Sequence, residues 1–145
     1  MLQVIKKKGI IFGYLITYNK NKRGVNFLTP NYLNHQVAHI NHKKKHIIKP
    51  HLHFKNKRVI NYTSEVLIIQ KGKLRVDFYT KNEKYVFSKI IKKDQIIILI
   101  NDGHGFETIT PVQMIEIKQG PYNMKKDKKV FNPINQKKLK FNKWK

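Results

Sequence analysis

The sequence predicts an all-β domain, an antiparallel sandwich or barrel, from three observations. Between Val4 and Lys118 the apolar segments are short, rich in β-branched and aromatic residues, and interrupted by turn residues. Leu74, Val76 and Phe78 alternate with Arg75, Asp77 and Tyr79, the two-residue period of a strand with one buried face. No segment carries a sustained helical apolar stripe. Short strands at regular spacing favour a sandwich or a closed barrel.

In chain order the expected strands are Gly9–Tyr18, Val25–Leu28, Gln36–Asn41, His46–His53 and Glu65–Gln70, then Leu74–Tyr79, Tyr85–Ile91, Gln95–Ile100, Phe106–Ile109 and Gln113–Lys118. Lys71-Gly72-Lys73 and Lys81-Asn82-Glu83 have the turn chemistry of hairpins, and Lys93-Asp94-Gln95 forms a further turn. After Gly120-Pro121 the chain changes character. It becomes rich in Lys and Asn, with apolar anchors at Val130, Phe131, Leu139, Phe141 and Trp144. Residues 1–122 are therefore expected to form the β-domain. Residues 123–145 form a basic C-terminal tail that either packs on the barrel or a second subunit, or stays solvated.

At 145 residues, 40% of them hydrophobic, the chain is long enough for one domain with a real core. It has no cysteine, so disulfides, thiolate metal sites and a cysteine nucleophile are excluded. Any metal must be held by imidazole and carboxylate, and seven histidines are present. The longest apolar runs, Gly9–Ile16 and Gln95–Ile100, fall well short of the roughly 20 residues that span a bilayer. The first eight residues lack the basic, apolar, small order of a secretory signal, so a cytoplasmic protein with no membrane association is expected.

The formal net charge is +23. Excess lysine ordinarily points to nucleic acid or an anionic surface. Here Lys, Ile and Asn are abundant together while arginine is confined to Arg23, Arg58 and Arg75, the pattern of an A/T-rich codon bias. A dedicated nucleic-acid binder would use more arginine forks and an aromatic–basic stacking pattern. Nucleic acid is therefore the least favoured partner. The Lys43-Lys44-Lys45 and Lys125–Lys129 runs are assigned to solvated faces. The positive field would still draw a small anionic molecule toward any cleft.

Chemistry is carried by three features in fixed order. Pro50-His51-Leu52-His53 places two imidazoles on one face of an extended chain. Glu65 opens an apolar strand closed by Gly72, and can add a carboxylate to a neutral two-imidazole site. Asp94 stands in a turn before another apolar strand that ends in Gly103-His104-Gly105, where the flanking glycines allow a sharp turn. Glu65 has an alternative partner in Arg58. His35, His39, His42 and His46 are assigned to the surface, although His39 lines the barrel if its strand faces inward.

These features resemble the two motifs of the cupin superfamily. His51-Leu52-His53, with Glu65 followed by Gly72, resembles the first; Asp94 and His104 resemble the second. The closer resemblance is to small, uncharacterised single-domain cupins, through Thr63–Leu67, Gly72–Tyr79, Gly103–Phe106 and Met114–Tyr122. Two departures stand out: the gap from His53 to Glu65 is long, so Phe54–Ser64 must loop out, and Asp102 sits where the group often has glycine.

The resemblance implies a cupin β-barrel (a double-stranded β-helix or jelly roll) holding one divalent ion, Mn, Fe, Ni or Zn, with His51, His53, Glu65 and His104. Four such donors leave two positions of a six-coordinate ion open to substrate. Arg58 is a candidate for binding a carboxylate or phosphate, against a solvated loop charge. Tyr62, Gln36 and Tyr79 are candidates for the pocket wall, with core packing the favoured role for each. The expected function is metal-dependent action on a small anionic metabolite such as a sugar phosphate or nucleotide sugar, of isomerase, epimerase, lyase or dioxygenase type. A non-catalytic ligand-binding module is the alternative. Pairing of edge strands suggests a homodimer.

Overall fold

A computed structural model describes residues 1–121, 123 and 127–142. Tyr122 at the end of the resemblance, Lys125 and Lys126 of the basic run, and the expected anchor Trp144 lie outside the described residues. The described chain is all-β. Its strands are β1 (Leu2–Lys7), β2 (Ile10–Thr17), β3 (Gly24–Phe27), β4 (Ala38–Asn41), β5 (Glu65–Lys71), β6 (Lys73–Tyr79), β7 (Tyr85–Lys92), β8 (Gln95–Leu99), β9 (Gly103–Thr108) and β10 (Gln113–Lys118). They form three antiparallel sheets, ordered β1-β2-β8-β5-β10, β7-β6-β9 and β3-β4. These sheets do not close into a barrel among the described residues.

The two larger sheets face each other across the main core. Ile5, Phe12, Leu15, Leu67, Ile69, Ile97 and Leu99 from the first meet Leu74, Val76, Phe78, Phe87 and Ile91 from the second. Phe12, Phe78 and Phe87 form the aromatic centre, with ring centroids 4.7–5.7 Å apart. The other face of the five-stranded sheet is apolar too. Tyr14, Ile16, Val66, Ile96 and Ile98 are covered by Leu28, Leu33 and Val37 from the β3–β4 region. That is why the centre of β8 is an unbroken Ile-Ile-Ile-Leu run rather than an alternating one.

A bulge in β2 lets that strand serve both cores. Ile5 pairs with Gly13 and Lys6 with Ile11, leaving Phe12 as the extra residue, so inward orientation passes from Phe12 to Leu15. Next to the bulge, a Cβ on Gly13 would lie 2.1 Å from the Ile98 carbonyl oxygen, so β2 and β8 can approach this closely only at glycine.

Four expectations are corrected. His46–His53 forms no strand; residues 42–64 are irregular apart from a short turn, with nearly all their side chains exposed. Lys71-Gly72-Lys73 is no hairpin, since β5 and β6 belong to different sheets; Gly72, at φ +85°, turns the chain from one sheet to the other. The N-terminal residues form a strand of their own, β1. Finally, the polar face of β6 is buried: Arg75 and Asp77 are each 3% exposed because residues 131–141 cross the outside of the three-stranded sheet.

That C-terminal crossing is held by specific contacts. The Ile134 amide donates to the Tyr79 hydroxyl oxygen at 2.9 Å, and Phe131 packs edge-on against the Tyr79 ring. Arg75 donates to Gln136 at 2.8 Å, and the Ser88 amide donates to the Lys140 carbonyl at 2.7 Å.

Candidate functional site

Glu65 and His104, 39 residues apart, meet at one end of the sandwich: His104 Nε2 lies 2.9 Å from Glu65 Oε2. Strand parity dictates the meeting. Glu65 shares the inner face of β5 with Leu67 and Ile69, and His104 lies opposite the inward Phe78 on β9. Pairing of Glu65 with Leu99 sets it at the end of the sheet, where β8 runs out. The Phe106 ring, next along the inner face of β9, stands 5.2 Å from the imidazole.

Both side chains are partly buried, Glu65 at 18% and His104 at 26% side-chain exposure. The hydrogen bond from His104 holds the Glu65 carboxyl below the usual carboxylate range, against burial, which pushes the other way. The Lys118 and Lys128 ammonium groups add to the lowering. The result is a carboxylate–imidazole pair in a positive field, able to accept and return a proton and to hold a hydroxyl or amine of a bound molecule.

Asp102, just before β9, has φ +66°, the left-handed region that glycine adopts most easily. Its carboxylate accepts from the Lys81 amide at 3.1 Å and ties the β6–β7 turn to the His104 strand.

The other expected donors are elsewhere. His51 and His53 stand exposed in the irregular 42–64 segment, their rings 5.1 Å apart, and His51 Nδ1 lies 3.1 Å from the Lys49 carbonyl. Among the described residues no three His, Asp or Glu side chains converge as a metal site. Of the four donors that the resemblance implies, Glu65 and His104 are together, and His51 and His53 are not with them. As placed, these residues do not fit a four-donor ion.

The expected substrate contacts are also dispersed. Arg58 is exposed in the same irregular segment. Gln36 braces its own loop, donating to the Pro30 and Leu33 carbonyls at 2.9 Å. Tyr79 lies on the outer face of β6 under the C-terminal crossing. Tyr62 is half-exposed, with the Lys81 ammonium 4.8 Å over its ring.

One cluster was not legible in the sequence. Gln119 joins His35, at 2.8 Å, to Ser64, whose hydroxyl and amide it engages at 2.9 Å. His35 and Ser64 line a small cavity of about 180 Å³ beside Tyr32 and Tyr62. The histidine assigned to the surface is thereby an anchor between the 28–37 loop and the start of β5. Only the contact itself reveals this, because 84 residues separate His35 from Gln119.

No known protein family, curated protein or solved structure matches this chain. No helix among the described residues is long and apolar enough to cross a membrane.

Proposed function

We propose that this chain is a cupin-like β-domain that binds a small anionic metabolite, such as a sugar phosphate or nucleotide sugar, at the end of the sandwich where Glu65 and His104 meet. The observation that carries this is their 2.9 Å contact on the inner faces of two different sheets. It brings together one residue from each motif of the resemblance. The lysines around the carboxylate suit an anionic ligand. In the metal-dependent form of this proposal, His51 and His53 swing in with the 42–64 segment to join Glu65 and His104 around one divalent ion.

The test is a thermal-shift and turnover screen of sugar phosphates and nucleotide sugars, with metal analysis alongside. Wild-type protein is expected to gain stability with at least one ligand, and His104→Ala and Glu65→Gln to lose that gain. Near-stoichiometric metal, lost in both His51→Ala and His104→Ala, is the expected result for the metal-dependent form. Stabilisation without product assigns a binding module instead. A ligand response unchanged in both the His104 and Glu65 variants would remove the site from the proposal.

A further inference from the structure

The cavity beside His35 and Ser64 lies on the second-core face of the five-stranded sheet, because Leu33, Ile98 and Ile100 of its wall belong to that core. Glu65 shares the main-core face of β5 with Leu67 and Ile69, so the sheet separates this cavity from the Glu65–His104 pair. At about 180 Å³ it is sized for a single six-membered ring, since apolar cavities of about 150 Å³ take benzene.

The hydrogen bonds around the cavity fix where its protons are. The Ser64 backbone N–H can only donate, so the Gln119 atom 2.9 Å from it is the carbonyl oxygen Oε1. Gln119 Nε2 then donates its two hydrogens, one to Ser64 Oγ at 2.9 Å and one to His35 Nε2 at 2.8 Å. A ring nitrogen that accepts carries no proton, which puts the His35 ring proton on Nδ1. Ser64 Oγ, already accepting, still has its own hydrogen to give, and no described residue takes it. The same holds for His35 Nδ1.

Ser64 is 7% exposed, and a buried donor left without an acceptor is costly. A ligand carbonyl in the cavity would take the Ser64 hydrogen, with His35 Nδ1 as a second donor in the lining. Asn34 of the 28–37 loop and Asn61 of the 42–64 segment also line the cavity and bond to no other described residue. Their carboxamide oxygens are acceptors for a ring N–H. Among the described residues no Lys, Arg, Asp or Glu lines it, so on a chain of net charge +23 this cavity suits an uncharged ligand. A carbonyl beside an N–H on a flat ring is the edge of a lactam.

We propose that this cavity binds an uncharged six-membered lactam ring, the chemistry of a pyrimidine base, with Ser64 Oγ donating to the ring carbonyl. It is a second site, separate from the one proposed for the anionic metabolite. To test it, the full chain, labelled with ¹⁵N and ¹³C, is titrated with uracil and 2-pyridone. Toluene serves as a ring of similar size without carbonyl or N–H. All three are uncharged, so the field of the chain does not gather them.

Both lactams are expected to shift the Ser64 backbone amide and the Gln119 side-chain amide saturably, and toluene to leave them in place. Nuclear Overhauser contacts are expected from the ring protons to the Ile98 and Ile100 methyl groups. A long-range ¹H–¹⁵N spectrum should show the His35 proton on Nδ1. Ser64→Ala, which keeps the backbone amide, is expected to bind uracil about tenfold more weakly. Shifts that never saturate would leave the cavity to water and overturn the proposal. An equal response to toluene, unchanged affinity in Ser64→Ala, or a His35 proton on Nε2 would do the same. Should Ser64→Ala fail to fold, the wild-type contacts to Ile98 and Ile100 decide: their presence supports the site, and their absence removes it.

Discussion

Arg75 and Asp77, two residues apart on one face of β6, are joined by a pair of charge-assisted hydrogen bonds at 2.8 and 3.0 Å, with each side chain 4% exposed. Asp77 also accepts from the Ser88 hydroxyl, and Arg75 reaches Glu107 on β9 at 2.8 Å and Gln136 in the C-terminal crossing. Removing Asp77 would take two hydrogen bonds from the buried guanidinium and leave it Glu107 and Gln136 as partners. Asp77→Ala is therefore expected to cost about 1.5–3 kcal/mol in urea unfolding. A loss below about 1 kcal/mol would show that water reaches Arg75 readily.

Gly13 is expected to be intolerant of any side chain. Its missing Cβ leaves room for the Ile98 carbonyl at a distance that no side chain allows. Gly13→Ala must push β2 and β8 apart at the middle of the five-stranded sheet, at an expected cost of at least about 2 kcal/mol. Thermal unfolding of Gly13→Ala would measure it, and an unchanged midpoint would refute the close approach.

Alkaline pH should weaken the fold through Tyr14. Burial, followed by the hydrogen bond to Tyr32 at 3.0 Å, pushes the Tyr14 hydroxyl up from 10.0 to about 12. The folded chain therefore keeps this proton after the unfolded chain has released it. The stability linked to it is complete below pH 10 and is lost as pH rises toward 12. Tyr14→Phe is expected to flatten that part of the stability profile. Ultraviolet titration of phenolate should show a late-ionising component in wild type that shrinks in the variant, where Tyr79, also raised by burial, still contributes to it.

Much of the architecture was legible because strand signals here are local and strong. The apolar runs that became β5, β8 and β10, and the alternation of β6, lie within a residue or two of their expected positions. Motif order groups Glu65 and His104 with His51 and His53, and strand parity brings the first two into contact. The His51 strand failed for a reason that alternation cannot reveal: a strand also needs a partner edge. His-Leu-His-Phe alternates correctly, but it follows Pro50, which lacks an amide donor. It is also flanked by Lys43, Lys44, Lys45, Lys49, Lys55, Lys57 and Arg58 with no acidic residue between 42 and 64.

The polar side of β6 was misread for another reason. Arg75 and Asp77 read as a solvent face, and they became an interior only because residues 131–141 pass over them.

The central strands β2, β8 and β5 have one further consequence. Each presents apolar side chains to both cores, so the two interiors share a common wall and cannot melt separately. Injury on one side, through Ile98 or Tyr14, is transmitted to the other through the same backbone. These three strands should be the last amides to exchange with solvent, because opening them requires the whole molecule to come apart.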